Sequence, residues 1–344
     1  MKVLFPERVV ERHVGGNTVY ARNLMEGLDS RDVATGLLKS GRHPALTMVR
    51  ETLQGLKQGE FDQVIHFSAD TGPLLPTRGP SVVTVHGVAS RWISVARNSR
   101  QEWIWRTRVQ RAIEGTCQLV TVSQSAADDI AEVFNYERNA ITVIPHGIAT
   151  SSFSPPTVPS DEVAALLPPE FVLYVGNIEP RKNLIELVTA MEELSKRGFG
   201  VPLVIAGRPA WNSAASMRKI LSSSAHVIYL GFVSDADRVA LMQRASLFVF
   251  PSLYEGFGFP VLEAMAAGSP VLATRQGSLA EVAGPAYEIN GVDSEAIADG
   301  ICRVFEGGLR WNPVDARNWL RRFSWDASVS AHIGVYEKAI QSCG

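Results

Sequence analysis

Short runs of β-branched and aromatic residues alternate along the whole chain with stretches of helical spacing. Residues 2–5, 63–67, 82–86, 119–123 and 141–144 read as strands in the first half. Residues 171–176, 203–207, 227–230, 247–251 and 271–274 read as strands in the second. Several are apolar on both faces, as parallel strands covered by helices on each side are. Between the runs the apolar period lengthens; over 184–197, Leu184, Leu187, Val188, Met191 and Leu194 share one helical face. This alternation predicts an α/β fold of doubly wound parallel sheets. Residues 149–160, rich in Ser, Thr and Pro, form the best linker between two α/β halves. The expected organisation is a first domain over 1–150, a second over 151–326, and a terminal helix over 327–344 packing back toward the first.

Composition narrows the function classes. The 344 residues fit two domains, and 46% hydrophobic with 20% charged residues is ordinary for a globular chain. With 33 basic and 35 acidic residues the net charge is −2, which argues against a dedicated nucleic-acid binder. Cys117, Cys302 and Cys343 are odd in number and widely spaced, neither a disulfide framework nor a zinc pattern. They read as reduced thiols of a cytoplasmic protein. The first apolar run is far shorter than a signal-peptide core, and no stretch approaches the ~18 apolar residues of a membrane span.

Four segments carry candidate chemistry. Residues 254–263, Tyr-Glu-Gly-Phe-Gly-Phe-Pro-Val-Leu-Glu, follow a strand and open a helix near Pro260. Their glycines admit close backbone approach, and helix N-terminal amides favour an anion. Glu263 sits among apolar neighbours, so a carboxylate binding hydroxyls is a better reading than a solvated one. The second segment, residues 175–184, places Arg181 and Lys182 where a strand ends and a helix begins. Cations are a poor match for that end of a helix dipole, which points to an anionic ligand such as a diphosphate. The third is Gly15-Gly16, which a plain turn explains equally well. The fourth is His86, at the end of a strand, a placement common for structural histidines.

Together these segments resemble the retaining glycosyltransferases of family 4, whose two Rossmann-like doubly wound domains face a central cleft in the architecture called GT-B. Glu255 and Glu263 match the family's E-x7-E motif, and Glu-Pro-Arg-Lys-Asn at 179–183 matches a form common in it. The resemblance implies that Arg181 and Lys182 hold the diphosphate of a nucleotide-sugar donor, UDP-, GDP- or dTDP-linked. It implies that Glu263 binds the ribose hydroxyls and that Glu255 faces the transferred sugar. Amides of Gly256, Phe257, Gly258, Phe259, Val261 and Leu262 would contact sugar and phosphate. Gly15 and Gly16 would meet the phosphate from the other domain, and His86 would lie near the scissile bond. Phe232 and Val233 resemble the segment whose backbone meets the nucleobase. Many members carry Arg where this chain has Asn177, so the phosphate clamp falls to Lys182 and Arg181.

The expected reaction is metal-independent hexosyl transfer with retention, to a glycan, lipid-linked or natural-product acceptor, and without a cofactor. The triplet Asp235-Ala-Asp237 follows Ser234 and reads as an acidic helix start rather than a metal site. The segment 90–115 bears six arginines (Arg91, Arg97, Arg100, Arg106, Arg108, Arg111) and Trp92, Trp103 and Trp105. It reads as a surface helix, as a peripheral contact with the inner face of a membrane, or as a contact for an anionic or aromatic acceptor. An excess of Arg over Lys suits a GC-rich bacterial source, and in overall length and character the chain resembles enzymes of an avilamycin-type antibiotic pathway; the 179–183 motif suits polysaccharide or O-antigen assembly at least as well. A nicotinamide dehydrogenase would need a glycine fingerprint that is absent. The rivals are a catalytically silent nucleotide-sugar-binding subunit and another GT-B enzyme, such as a sugar-nucleotide epimerase.

Overall fold

The computed structural model describes residues 1–11, 15–41, 43–57, 62–92 and 99–343. The chain forms two compact units. Of the described residues, the first comprises those of 1–91, 99–147 and 323–343, and the second those of 148–322 with Trp92. The sequence placed the corresponding boundaries at 150 and 326.

The first unit holds a six-stranded parallel sheet of β1 (Lys2–Pro6), β2 (Ala34–Leu38), β3 (Gln63–Phe67), β4 (Ser81–Thr84), β5 (Gln118–Thr121) and β6 (Ile141–Val143), in the order β2-β1-β3-β4-β5-β6. The second holds β7 (Val172–Val175), β8 (Leu203–Ala206), β9 (Val227–Gly231), β10 (Leu247–Phe250), β11 (Val271–Ala273) and β12 (Tyr287–Glu288). Their order is β12-β11-β10-β7-β8-β9, again parallel. Central strands such as β7, β8 and β10 are buried at every residue, which their unbroken apolar runs anticipate.

The C-terminal helix, Trp325–Cys343, belongs to the first unit. Its Val329, Val335, Tyr336 and Ala339 pack with Val3, Phe5, Leu24, Val64 and Val82. It also enters a buried polar chain. His332 Nδ1 lies 2.7 Å from Ser328 O and its Nε2 2.7 Å from Tyr20 Oη; Tyr20 Oη lies 3.0 Å from Thr84 Oγ1. His66 Nε2 is 2.8 Å from Thr84 Oγ1 and its Nδ1 2.8 Å from Tyr336 Oη. One assignment of protons satisfies every link. His332 Nδ1–H donates to Ser328 O, Tyr20 donates to His332, Thr84 to Tyr20, His66 Nε2–H to Thr84, and Tyr336 to His66. Both imidazoles are neutral in it.

The reading of three reduced thiols is corrected here. Cys117, at the mouth of β5, and Cys343, at the end of the C-terminal helix, form a disulfide across a separation of 226 residues. The docking of that helix brings the two Cα atoms to 6.5 Å, which no sequence spacing could disclose. Cys302 is a free thiol. Cys117→Ser is expected to lower stability by about 2–4 kcal/mol in oxidising buffer and by little in excess dithiothreitol. Denaturant unfolding under the two conditions checks it; equal losses in both would show that the bond does not form.

No helix among the described residues is long and apolar enough to cross a membrane.

Candidate active site

In the second unit the strand order reverses between β7 and β10. Open parallel sheets bind ligands at the carboxyl edge of such a reversal. The two loops that leave β7 and β10 are the segments around Arg181 and Glu255. They are laced together: Leu253 N donates to Arg181 O at 2.8 Å, and Arg181 Nη1 to Tyr254 O at 3.2 Å. Pro180–Lys182 form a 3-10 turn, and Asn183 takes a left-handed conformation (φ 59°) before the helix Leu184–Lys196. Ser278 Oγ fastens the second loop from behind, donating to Glu255 O at 2.9 Å and Phe257 O at 2.8 Å.

Three of the expected residues meet at this edge. Glu255 Oε2 accepts from Arg181 Nη1 and Oε1 from Lys182 Nζ, each at 2.6 Å. Arg181 Nε also reaches Glu179 Oε2 at 2.7 Å. Lys182 is 5% exposed and its ammonium lies 4.6 Å from the centre of the Phe250 ring. Burial opposes the charge on Glu255, yet the two adjacent cations and their hydrogen bonds bring its pKa down to about 2. Burial pulls Lys182 down, and neighbouring Arg181 pulls it further, against the support of Glu255. Arg181 is pushed up, because its two carboxylate partners outweigh its burial. The site is a charged triad, with Lys182 and Glu255 buried and Arg181 half-buried, and Glu179 is a fourth member.

The helix Phe259–Ala267 begins beside it, with Gly258 as N-cap at φ 106° and Pro260 in the first turn. Gly256 and Phe259 are half-buried, and Phe257 is buried with its ring 5.2 Å from that of Phe259. The side chains of Val261 and Leu262 are buried, so only their backbones could serve a ligand. The Val261 amide already donates to Gly258 O at 3.1 Å. Glu263 is 8% exposed, and its Oε2 is bonded to Arg238 Nη1. Sequence reasoning missed Arg238, which also reaches Asp235 at 3.1 Å.

Ser234 caps the helix Asp235–Arg244, its Oγ accepting from Asp237 N at 3.0 Å. Asp237 accepts from Ser160 N and Ser234 Oγ, both at 2.7 Å. The acidic triplet therefore serves a helix cap and the Arg238 pair. Phe232 is exposed, Val233 half-buried, and the Arg208 guanidinium stacks 3.7 Å from the Phe232 ring centre. Arg208, at the carboxyl edge of β8, was also missed. Asn177 is exposed, and its carbonyl accepts from Tyr174 Oη at 3.1 Å.

The remaining expected residues belong to the first unit. Gly15 (φ 85°) is the N-cap of the helix Gly16–Asp29. His86 is half-buried, with its amide on Asp70 Oδ1 at 2.7 Å and Nε2 on Ser68 O at 3.0 Å. In the helix Ser99–Gly115, Trp103 is 68% exposed, while Trp105 packs toward Phe134. Arg91 pairs with Asp129 and Glu132, Arg106 with Glu102 and Arg111 with Glu114, so much of the basic charge is matched internally. Arg97 lies outside the described residues.

Residues 161–316 match the family described as Glycosyl transferases group 1, and residues 32–152 match Glycosyltransferase Family 4. The MMP alpha-(1->4)-mannosyltransferase of Mycolicibacterium hassiacum is 30% identical across 83% of this chain and 72% of its own. The chain belongs to the group 1, family 4 glycosyltransferases. The O-antigen chain mannosyltransferase B of Escherichia coli is 30% identical across 67% of this chain, a match that spans only 62% of the relative's length. Among solved structures, the sucrose-phosphate synthase of Thermosynechococcus elongatus is similar with a TM-score of 0.74 at 19% identity, covering 98% of both chains. That likeness is one of fold, the two-domain α/β architecture of GT-B enzymes.

Proposed function

We propose that this glycosyltransferase moves a hexose, with retention and without a metal, from a nucleotide diphosphate sugar to a hydroxyl of a glycan, lipid-linked or natural-product acceptor. The observation that carries the proposal is the pair of cations, Arg181 and Lys182, gathered with Glu255 at the β7/β10 reversal. A diphosphate arriving there takes over the bonds that Glu255 now accepts and releases that carboxylate toward the sugar. The bond between the anomeric carbon and the diphosphate oxygen breaks, and the acceptor oxygen bonds to that carbon on the same face. The departing phosphate takes the acceptor's proton. The cations and the start of the Phe259 helix stabilise the charge that develops on the leaving group. Glu263 offers its second oxygen to a ribose hydroxyl while Arg238 holds the first. Metal independence is supported by Asp235 and Asp237 being committed to Arg238 and to the helix cap.

The names of both relatives make mannose the sugar to try first, with a polysaccharide-type acceptor. Peripheral membrane contact through 90–115 is carried by the exposure of Trp103. The decisive assay is release of nucleoside diphosphate from GDP-mannose, UDP-glucose and dTDP-glucose, with and without EDTA. One donor is expected to be turned over, unaffected by EDTA, with the anomeric configuration kept by NMR. Loss of turnover with EDTA would refute metal independence. Inertness toward every donor, with and without acceptors, would favour a silent subunit.

A further inference from the structure

A second charged cluster, in the first unit, takes no part in the donor chemistry. Strand order there reverses between β1 and β3. The cluster sits at the carboxyl edge of those two strands, where such sheets bind ligands. Arg8 follows β1 and Thr71 follows β3; Glu51 comes from the helix Pro44–Leu56 and Arg108 from the helix Ser99–Gly115. Glu51 is 2% exposed, and its Oε1 accepts from Arg8 Nε at 2.8 Å. Its Oε2 is buried with no hydrogen-bond partner among the described residues. Thr71 Oγ1 receives Arg8 Nη2 at 3.2 Å and Arg108 Nη2 at 3.3 Å. Arg108 Nε is buried and equally without a partner among the described residues.

Arg8 Nη2 also lies 3.5 Å from Thr71 O, so two guanidinium groups converge on the neutral oxygens of one threonine, with a single carboxylate beside them. The cluster carries one positive charge in excess, and burial and Arg8 both weaken the charged form of Arg108 while Glu51 supports it. A strap between the loop after β1 and the Glu51 helix would need only Arg8 and one oxygen of Glu51. It would not need Arg108, nor leave a carboxylate oxygen buried and unmet, which is costly. Paired guanidinium forks suit an oxyanion, and a carboxylate oxygen suits a hydroxyl.

We propose that Arg8, Arg108 and Glu51 form an acceptor subsite for a sugar that carries an oxyanion, a phosphate ester or a carboxylate, next to a hydroxyl. Arg8 and Arg108 take the oxyanion, and Glu51 Oε2 accepts from the hydroxyl. The proposal deepens the reading as a glycosyltransferase and rests on it for the word acceptor.

Calorimetric titration of the full chain with glucose 1-phosphate, glucuronate, methyl glucoside and inorganic phosphate tests it. At least one anionic sugar is expected to bind about tenfold tighter than both methyl glucoside and inorganic phosphate. Preference for glucose 1-phosphate names a phosphate ester; preference for glucuronate names a carboxylate. Arg108→Gln should lose that preference and Glu51→Gln should weaken both sugars. Arg108→Lys, which keeps the charge and folding but not the fork, should fall between. Equal binding of charged and neutral sugars, or an unchanged preference in Arg108→Lys and Arg108→Gln, would overturn the proposal. Nucleoside diphosphate binding by the wild type, titrated in parallel, keeps the two readings apart. Its absence beside intact sugar binding counts against the donor site alone, and the reverse against the subsite alone.

Discussion

Lys182→Ala is expected to lower kcat/KM for donor turnover by about 10²–10³-fold, equivalent to roughly 2.7–4 kcal/mol of lost transition-state stabilisation. Lys182 Nζ is 2.6 Å from Glu255, buried, and aimed at the edge where the sheet reverses. A leaving diphosphate gains charge as the glycosidic bond breaks, so a buried cation there favours the transition state over the ground state. The fall should appear chiefly in kcat. The fold should survive, because Arg181 still neutralises Glu255, whose pKa of about 2 leaves room to rise without protonation at neutral pH. Removing Glu255 instead would leave buried Lys182 and half-buried Arg181 with Glu179 alone, which confounds chemistry with stability. Steady-state kinetics beside a thermal melt checks this; a loss under tenfold in a folded variant would remove Lys182 from the diphosphate site.

Acidification from pH 6.5 to pH 4 is expected to destabilise the first unit by about 3 kcal/mol through His332 alone. Burial lowers the pKa of His332 to about 4, against its hydrogen bond to the Ser328 carbonyl, which raises it, while neighbouring His86 lowers it further. The unfolded chain takes up a proton near pH 6.5 that the folded chain refuses until pH 4. Stability is therefore full above 6.5 and falls by about 1.4 kcal/mol per pH unit for each such histidine as the pH drops. His66 and His146 are also held down, first by burial and then by neighbouring histidines, and steepen the slope. The neutral hydrogen-bond chain gives the structural reason. A second proton on His332 would set its Nε2–H against the Tyr20 hydroxyl that now donates to it. Denaturant unfolding between pH 7 and 4.5 checks it; a flat profile would contradict the buried neutral histidines.

The central strands were legible because buried parallel strands are unbroken apolar runs. The two strands missing from the sequence reading, β2 and β12, close one edge of each sheet. β2 reads Ala-Thr-Gly-Leu-Leu with only Leu38 buried, and β12 is two residues long, so neither has a burial pattern to detect. Arg181, Lys182, Glu255 and Glu263 were legible through motifs that follow strands. Arg238 was not, because its partner Glu263 is 25 residues away and an arginine on a helix reads as solvated. His66 and His332 meet through Tyr20 and Thr84 across most of the chain, so nothing local marks them. The Cys117–Cys343 bond is hidden for the same reason.

The most direct test of the central claim is calorimetric titration of UDP, GDP and dTDP into the wild type and Lys182→Ala. One nucleoside diphosphate should bind the wild type and bind Lys182→Ala at least about tenfold more weakly, with both proteins equally folded. Equal affinities, or no binding by the wild type, would contradict a donor diphosphate site at Arg181, Lys182 and Glu255.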